Sequence, residues 1–306
     1  MSGGLSLRVA GLLLVPPLMW AGNAVVGRLA AGHVPPLALN AMRWVLAALI
    51  LLPLGWRALS TPQARREVAR RWRPLSMLGL LGIGAYNALQ YSALTTSSVL
   101  NVTLIVASAP FWMLAIGALF YRVRPTAREA VGAGLSLVGV AIVLSRGDPS
   151  QLAQVRFVPG DLLMVAAAIA WSFYSWLLAR PHPLLAPGQR PAWDWAAFLL
   201  VQVLFGIVWA GGAAGLEMLV SPAQVRWSPL VFGVLAYVAI GPSVLAYRCW
   251  GVGVAAAGPA IASIFANLTP VFAALLSALV IGELPQGYHL VAFALTVLGI
   301  LVSVRR

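Results

Sequence analysis

Long apolar runs follow one another along the chain, separated by short polar interruptions. A helix needs about 20 apolar residues to cross a hydrocarbon core, and the pattern supplies this length repeatedly. It predicts spans at 7–31, 35–56, 74–94, 98–120, 126–145, 159–180, 194–215, 228–250, 258–281 and 286–304. Most connections are short, so neighbouring helices are expected to run antiparallel, and none has room for a soluble domain. Arg8 and the apolar run after it superficially resemble a leader peptide. The run leads straight into another span, so we read it as an uncleaved first helix.

The polar positions inside the runs carry a second pattern. The stretch IFANLTPVFAALLSALVIGELP, residues 264–285, sets Asn267, Thr269 and Pro270 in the middle of an apolar segment. LIVASAPFWMLAIGALFYRVRP, residues 104–125, is its earlier counterpart. A shift of 160 aligns Pro110 with Pro270, Pro125 with Pro285 and Gly139 with Gly299. In span 1, PPLMWAGNAVVGRL loosely matches VAAAIAWSFYSWLLAR in span 6. The chain is therefore expected to be one membrane domain made of two five-helix repeats, 1–150 and 151–306. An odd number of spans turns the second copy upside down. Inverted repeats point to a transporter with its site near the midplane.

Composition agrees with this reading. Apolar residues make up 61% of the 306 positions and charged residues 9%, which excludes an ordinary soluble domain. A net charge of +13 would suit nucleic acid, but the basic residues lie in short loops, where membrane topology explains them. All are arginine, which with the abundant alanine fits a high-GC bacterial genome. The loop WRALSTPQARREVARRWRP holds Arg57, Arg65, Arg66, Arg70, Arg71 and Arg73. Putting it in the cytoplasm puts both termini there, together with Arg8, Arg122, Arg124, Arg128, Arg180, Arg190, Arg248, Arg305 and Arg306. Only Arg28, Arg146, Arg156 and Arg226 then fall outside. The two copies differ in the same sense: span 4 ends YRVRP, predicted cytoplasmic, and span 9 ends IGELP, predicted external.

A proline within a span frees a carbonyl that other groups must satisfy. Asn267 and Thr269 are positioned to help. Pro110 and Pro270 are expected either to hinge two helices lining a hydrated cavity or to make static kinks that pack well. Polar and aromatic side chains at mid-span tend to face the bundle interior. The substrate-facing candidates are Trp20 and Asn23, Tyr86 and Gln90, Asn101 and Ser108, Trp171 and Tyr174, Ser243 and Tyr247, and Asn267. Tyr86 and Gln90 share one helix face, as do Trp171 and Tyr174. Asn, Gln, Ser and Tyr can hydrogen-bond an ammonium or a carboxylate, and Trp and Tyr faces attract cations and stack on rings. Such a set suits a zwitterion or another neutral, partly aromatic metabolite. The same residue types also form interfacial belts and glue helices together, and belts are the expectation for Trp193, Trp195 and Trp227. Arg43, inside span 2, could meet a substrate carboxylate. Snorkelling or a pair within the bundle is the favoured expectation.

Asp161 and Asp194 stand where spans 6 and 7 begin, as N-caps would. Glu67, Glu129, Asp148, Glu217 and Glu283 lie in loops or at span ends. With no carboxylate at mid-depth, uniport is expected rather than proton exchange; Glu283 and His289 keep coupling open near the external end. The glycosylation-like Asn101 and Asn267 tripeptides fall inside spans, and Gly211 with Gly215 suits close packing. Cys249 is alone, the histidines are scattered, and no phosphate-binding loop occurs, so neither a metal nor another cofactor is expected.

The two five-helix repeats, the proline-centred fourth helix and the "P…GE.P" ending of the ninth resemble the drug/metabolite transporter superfamily, and within it the ten-helix EamA-type exporters. The resemblance covers essentially the whole chain. GAYNALQY in span 3 and AIAWSFY in span 6 resemble the aromatic amino-acid exporters. The resemblance implies an all-α protein of the bacterial inner membrane that exports amino acids or similar small metabolites by alternating access. Ten helices can enclose a pathway alone, so a monomer in the lipid bilayer is expected, with no nucleic-acid partner. Drug-like amphiphiles or nucleotide sugars, exchanged for protons, are the other cargo reading, although few basic groups lie at mid-depth for a phosphate. An intramembrane enzyme would need paired acids or a metal site, and a channel would not need inverted repeats.

Overall fold

The computed structural model describes residues 5–30, 32–93, 96–97, 99–153, 155–220, 224–281 and 286–304. Glu283, Pro285, Arg305, Arg306 and the Arg28 side chain, which enter the expectations above, lie outside the described residues. Every regular element among the described residues is helical, and none is a strand. Among the described residues, seven helices are long and apolar enough to cross a membrane: Pro36–Ala58, Ala127–Leu144, Pro159–Ala179, Trp195–Val220, Pro229–Ala257, Pro259–Leu276 and Gly287–Val304. The pair Asn101–Ala107 and Ala109–Tyr121, bent by 44°, makes an eighth if taken as one span.

In chain order the helices are α1 (Leu7–Ala30), α2 (Pro36–Gly55), α3 (Pro62–Arg70), α4 (Trp72–Gly79), α5 (Tyr86–Ala93), α6 (Val99–Ala107), α7 (Ala109–Tyr121) and α8 (Ala127–Leu144). They continue with α9 (Ser150–Ala153), α10 (Pro159–Ala179), α11 (Trp195–Val220), α12 (Pro229–Val238), α13 (Ala246–Ala257), α14 (Pro259–Ala266), α15 (Thr269–Ile281) and α16 (Gly287–Val304). Two joins are π-helical. Leu80–Ala85 links α4 to α5, and Ala239–Leu245 links α12 to α13.

The prolines at mid-span each stand in the first turn of the helix that follows a break, and the break before Pro110 carries the 44° bend. α6 ends at Ala107, and Pro110 sits in the first turn of α7, where a missing N–H costs nothing. Pro270 is likewise the second residue of α15. The freed carbonyls find local and distant donors. Thr269 Oγ1 donates to the Ala266 carbonyl at 2.6 Å, the group that Pro270 cannot serve. At the other break, the Phe111 N–H turns to Ser108, and the orphaned Ala107 carbonyl accepts from Asn267 Nδ2 at 3.1 Å.

Helix termini show the same accounting, since lipid offers no substitute donors or acceptors. Asp194 Oδ1 accepts from the Ala197 N–H at 2.8 Å, as an N-cap does. Asp161 acts from one turn inside α10 instead, accepting from the Val158 N–H at 2.8 Å. Glu217, near the end of α11, reaches the start of α2, where the Leu37 and Ala38 N–H groups donate to it at 3.1 and 2.8 Å.

Small residues set the closest helix approaches. α8 packs on α16, where a side chain on Gly299 would strike the Gly132 carbonyl and one on Gly139 the Ala292 carbonyl. α2 packs on α11, α1 on α13, α5 on α10, and α7 on α14. The arginine-rich loop after α2 contains α3, which the hydropathy pattern does not announce because its nine residues are mostly polar. Buried Arg71 locks that loop to the one between α10 and α11. It pairs with Glu67 and donates to the carbonyls of Glu67, Leu184 and Gln189 at 2.9, 2.9 and 2.7 Å.

Candidate functional site

The middle of α10 presents Trp171 and Tyr174 on one face, three residues apart. Trp171 is the hub of an aromatic layer. Its ring centroid lies 5.5 Å from Trp20, 5.1 Å from Tyr86, 5.2 Å from Tyr174, 5.5 Å from Tyr247 and 5.3 Å from Trp250. Trp20 also meets Trp250 at 5.4 Å, and Tyr247 meets Trp44 edge-on at 4.8 Å. These spacings are those of attractive ring pairs. Trp171, Tyr174, Tyr247 and Trp250 are buried, whereas Trp20 and Tyr86 are half-buried.

Both π segments feed this layer. A π turn leaves carbonyls outside the regular ladder, and here side chains use them. Tyr247 Oη donates to the Gly82 carbonyl, and Asn40 Nδ2 donates to the Ile83 carbonyl at 3.3 Å. In the second segment Ser243 Oγ donates to the Val238 carbonyl at 2.7 Å and accepts from Arg43 Nε at 2.9 Å. Trp20 Nε1 points at the neighbouring Pro242 carbonyl, 3.4 Å away. Trp44 Nε1 donates to Asn40 Oδ1 at 3.1 Å, and Trp250 Nε1 to Ser175 Oγ at 3.2 Å. The Tyr174 hydroxyl is 3.4 Å from Gln202 Oε1.

Some polar groups at this level have no protein partner. The side chains of Asn23 and Gln90, each one turn along its helix from a ring of the layer, make no hydrogen bond to the described residues, and neither does the Trp171 indole N–H. Both amides are half-buried. No fully buried side-chain nitrogen or oxygen among the described residues lacks a partner, so these groups face accessible space.

The structure thus brings Trp20, Tyr86, Trp171, Tyr174 and Tyr247 into one layer, with Ser243 at its edge and Asn23 and Gln90 beside it. Three other candidates are committed elsewhere. Asn101 Nδ2 donates to Asp161 and to the Arg156 carbonyl, both at 2.8 Å, and Ser97 also donates to Asp161. Ser108 Oγ donates to Ile105 and accepts from Trp112. Asn267 also donates to Ser136 Oγ at 2.8 Å. Arg43 does not snorkel: it is 3% exposed and holds an intrabundle partner in Ser243. Among the expected belt residues, Trp227 is exposed, while Trp193 and Trp195 are not and lie beneath Arg71 and Arg248. Trp250, Trp44 and Asn40 are the layer residues that sequence reading missed. A span ending at residue 250 puts Trp250 at its last position. The helix runs on to Ala257, and the i, i+3 spacing of Tyr247 and Trp250 was the available signal.

A solved crystal structure matches with a TM-score of 0.77 over 97% of this chain and 96% of its own, at 22% identity. An uncharacterized transporter of Archaeoglobus fulgidus is 24% identical, covering 95% of this chain and 96% of its own. A probable amino-acid metabolite efflux pump of Salmonella typhimurium is 24% identical over 96% of this chain and 93% of its own. The aromatic amino acid exporter YddG of Ancylobacter novellus is 23% identical over 94% and 93%. The model of the EamA-like transporter family matches residues 7–145 and again residues 158–305. The chain belongs to the EamA-like transporter family, within the drug/metabolite transporter superfamily.

Proposed function

We propose that this transporter exports neutral and aromatic amino acids and similar small metabolites by alternating access, as a uniporter. The observation that carries this reading is the aromatic layer around Trp171, flanked by the partnerless amides of Asn23 and Gln90. Rings offer stacking and cation–π surfaces, and free amides serve an ammonium or a carboxylate. The names of two of the relatives above point to the same cargo.

We read the chain as ten spans, with α1 and the continuous helical run from α4 to α5 joining the eight counted above. Several features support two inverted repeats, 1–150 and 151–306. The family model matches twice. The π segments lie about 160 positions apart, as do the helix breaks before Pro110 and Pro270. Gly132 meets Gly299 while Gly139 meets Ala292, a reciprocal pair under that same shift. Arginine bias supports cytoplasmic termini in a bacterial inner membrane. In that frame Asn23 and Gln90 lie on the external side of the aromatic layer.

Purified protein in liposomes, given a panel of radiolabelled amino acids, tests the reading. Saturable flux with counterflow is expected for neutral and aromatic amino acids, and Trp171→Ala or Tyr86→Ala should reduce it by ~10-fold or more, the scale of losing one or two well-placed ring contacts. Absence of flux for every amino acid would reject the cargo.

A further inference from the structure

The bundle buries two arginines to almost the same degree, Arg43 at 3% exposure and Arg71 at 4%. Their surroundings are opposite. Arg71 pairs with Glu67 and serves three carbonyls. Arg43 uses only Nε, on the neutral hydroxyl of Ser243, and lies with its Cζ 5.4 Å from the Trp44 ring. Its two Nη groups have no protein partner among the described residues, and the one ion pair there is Arg71 with Glu67. A buried cation without a counter-charge is costly. Because no fully buried polar atom is left unpaired, the Nη fork opens onto accessible space.

That space adjoins the aromatic layer. Arg43 holds Ser243, and Trp20 reaches the carbonyl of the adjacent Pro242. Trp44, next to Arg43 in α2, packs on Tyr247 at 4.8 Å, and Tyr247 touches Trp171. A planar guanidinium with two free nitrogens matches a carboxylate in bidentate fashion. We propose that Arg43 is the anion subsite of the transport pathway: it binds the substrate carboxylate while the aromatic layer takes the side chain and Asn23 and Gln90 take the ammonium. Ser243 and Trp44 are positioning residues, anchoring Nε and the guanidinium so that the fork stays free. The inference rests on the amino-acid reading above and narrows it to substrates with a free carboxylate.

The test compares L-phenylalanine with phenylalaninamide and phenethylamine, which keep the ring and the amine but lack the carboxylate. In wild-type proteoliposomes, both analogues should compete with labelled phenylalanine at least ~10-fold more weakly than unlabelled phenylalanine does, the scale of losing a charge-assisted hydrogen-bond pair. Arg43→Gln should weaken phenylalanine by a similar factor and leave the two analogues unchanged, erasing the discrimination. Equal competition by all three in wild type would overturn the subsite without any variant having to fold, and so would full discrimination in Arg43→Gln. No phenylalanine flux or binding in wild type would instead reject the underlying amino-acid reading, and the subsite with it.

Discussion

At the scale of residues, the candidate site is marked out by the polar groups that the fold leaves uncommitted. Trp171 touches five rings yet spends its indole N–H on no group among the described residues. Trp250 touches two of the same rings but is pinned through Ser175. The two tryptophans should therefore respond differently to polar-handle removal. Trp250→Phe should lower thermal stability by ~1 kcal/mol for the lost hydrogen bond, with a shift in the transport KM smaller than that for Trp171→Ala. Thermal unfolding in detergent alongside flux checks both. The sequence made most of the layer legible, because aromatic side chains at mid-span stand out against an aliphatic background. It could not separate Asn23 and Gln90 from Asn101 and Asn267. All four are amides within spans, and only the packing reveals that the last two already serve Asp161, Ala107 and Ser136.

At the scale of elements, the breaks and close crossings follow from single residues. Asn267 replaces the donor that the α6–α7 break takes from Ala107, and it reaches there from the other half of the chain. Asn267→Leu should leave that buried carbonyl orphaned and cost ~1–3 kcal/mol, more than Thr269→Val, whose loss stays within its own turn; melting temperatures rank the two. Proline announced both breaks, and the α6–α7 pair is bent by 44° at the first. Pro110 and Pro270 each fall in a first turn, where the ring fits without strain. The α8–α16 crossing depends on bare glycine. A side chain on Gly299 would come within 2.6 Å of the Gly132 carbonyl, so Gly299→Leu should cost ~1–3 kcal/mol by overpacking, read from the same melts. α3 escaped notice for the opposite reason: a short polar helix has no apolar stripe long enough to register.

At the scale of the whole molecule, the distribution of charge decides topology and energetics. The arginine bias predicts that the loop holding Ser60 faces the cytoplasm and the turn holding Ser150 faces outward; both serines are exposed. In a Cys249→Ser background, a membrane-impermeant maleimide applied to intact cells should label Ser150→Cys and spare Ser60→Cys. The reverse pattern would invert the proposed orientation. Glu67, on the same arginine loop, is held below the usual glutamate range by its hydrogen bond from Arg71. A lowered carboxylate stabilises the fold above its unfolded pKa and loses that contribution as pH falls through the folded one, so this clasp should persist through mildly acidic conditions. Among the described residues every carboxylate lies in a loop or near a helix end, and amino-acid flux should be indifferent to an imposed pH gradient between pH values of about 6 and 8, where of these side chains only the histidines, which stand in loops or at a span end, change charge. Strong acceleration by the gradient would identify a coupling group and displace uniport.

The π segments have one more consequence. A π turn is an α-helix carrying a surplus residue, and one residue turns everything after it by about 100°. Tyr86 and Gln90 follow one such surplus, and Tyr247 and Trp250 follow the other. The azimuth of both helix ends is thus encoded by two extra letters in the chain. Deleting one of them, Leu81 or Ile240, would close the π turn into α-helix and leave the rings in register, whereas deleting a residue elsewhere in either span would swing half the ring cluster toward lipid.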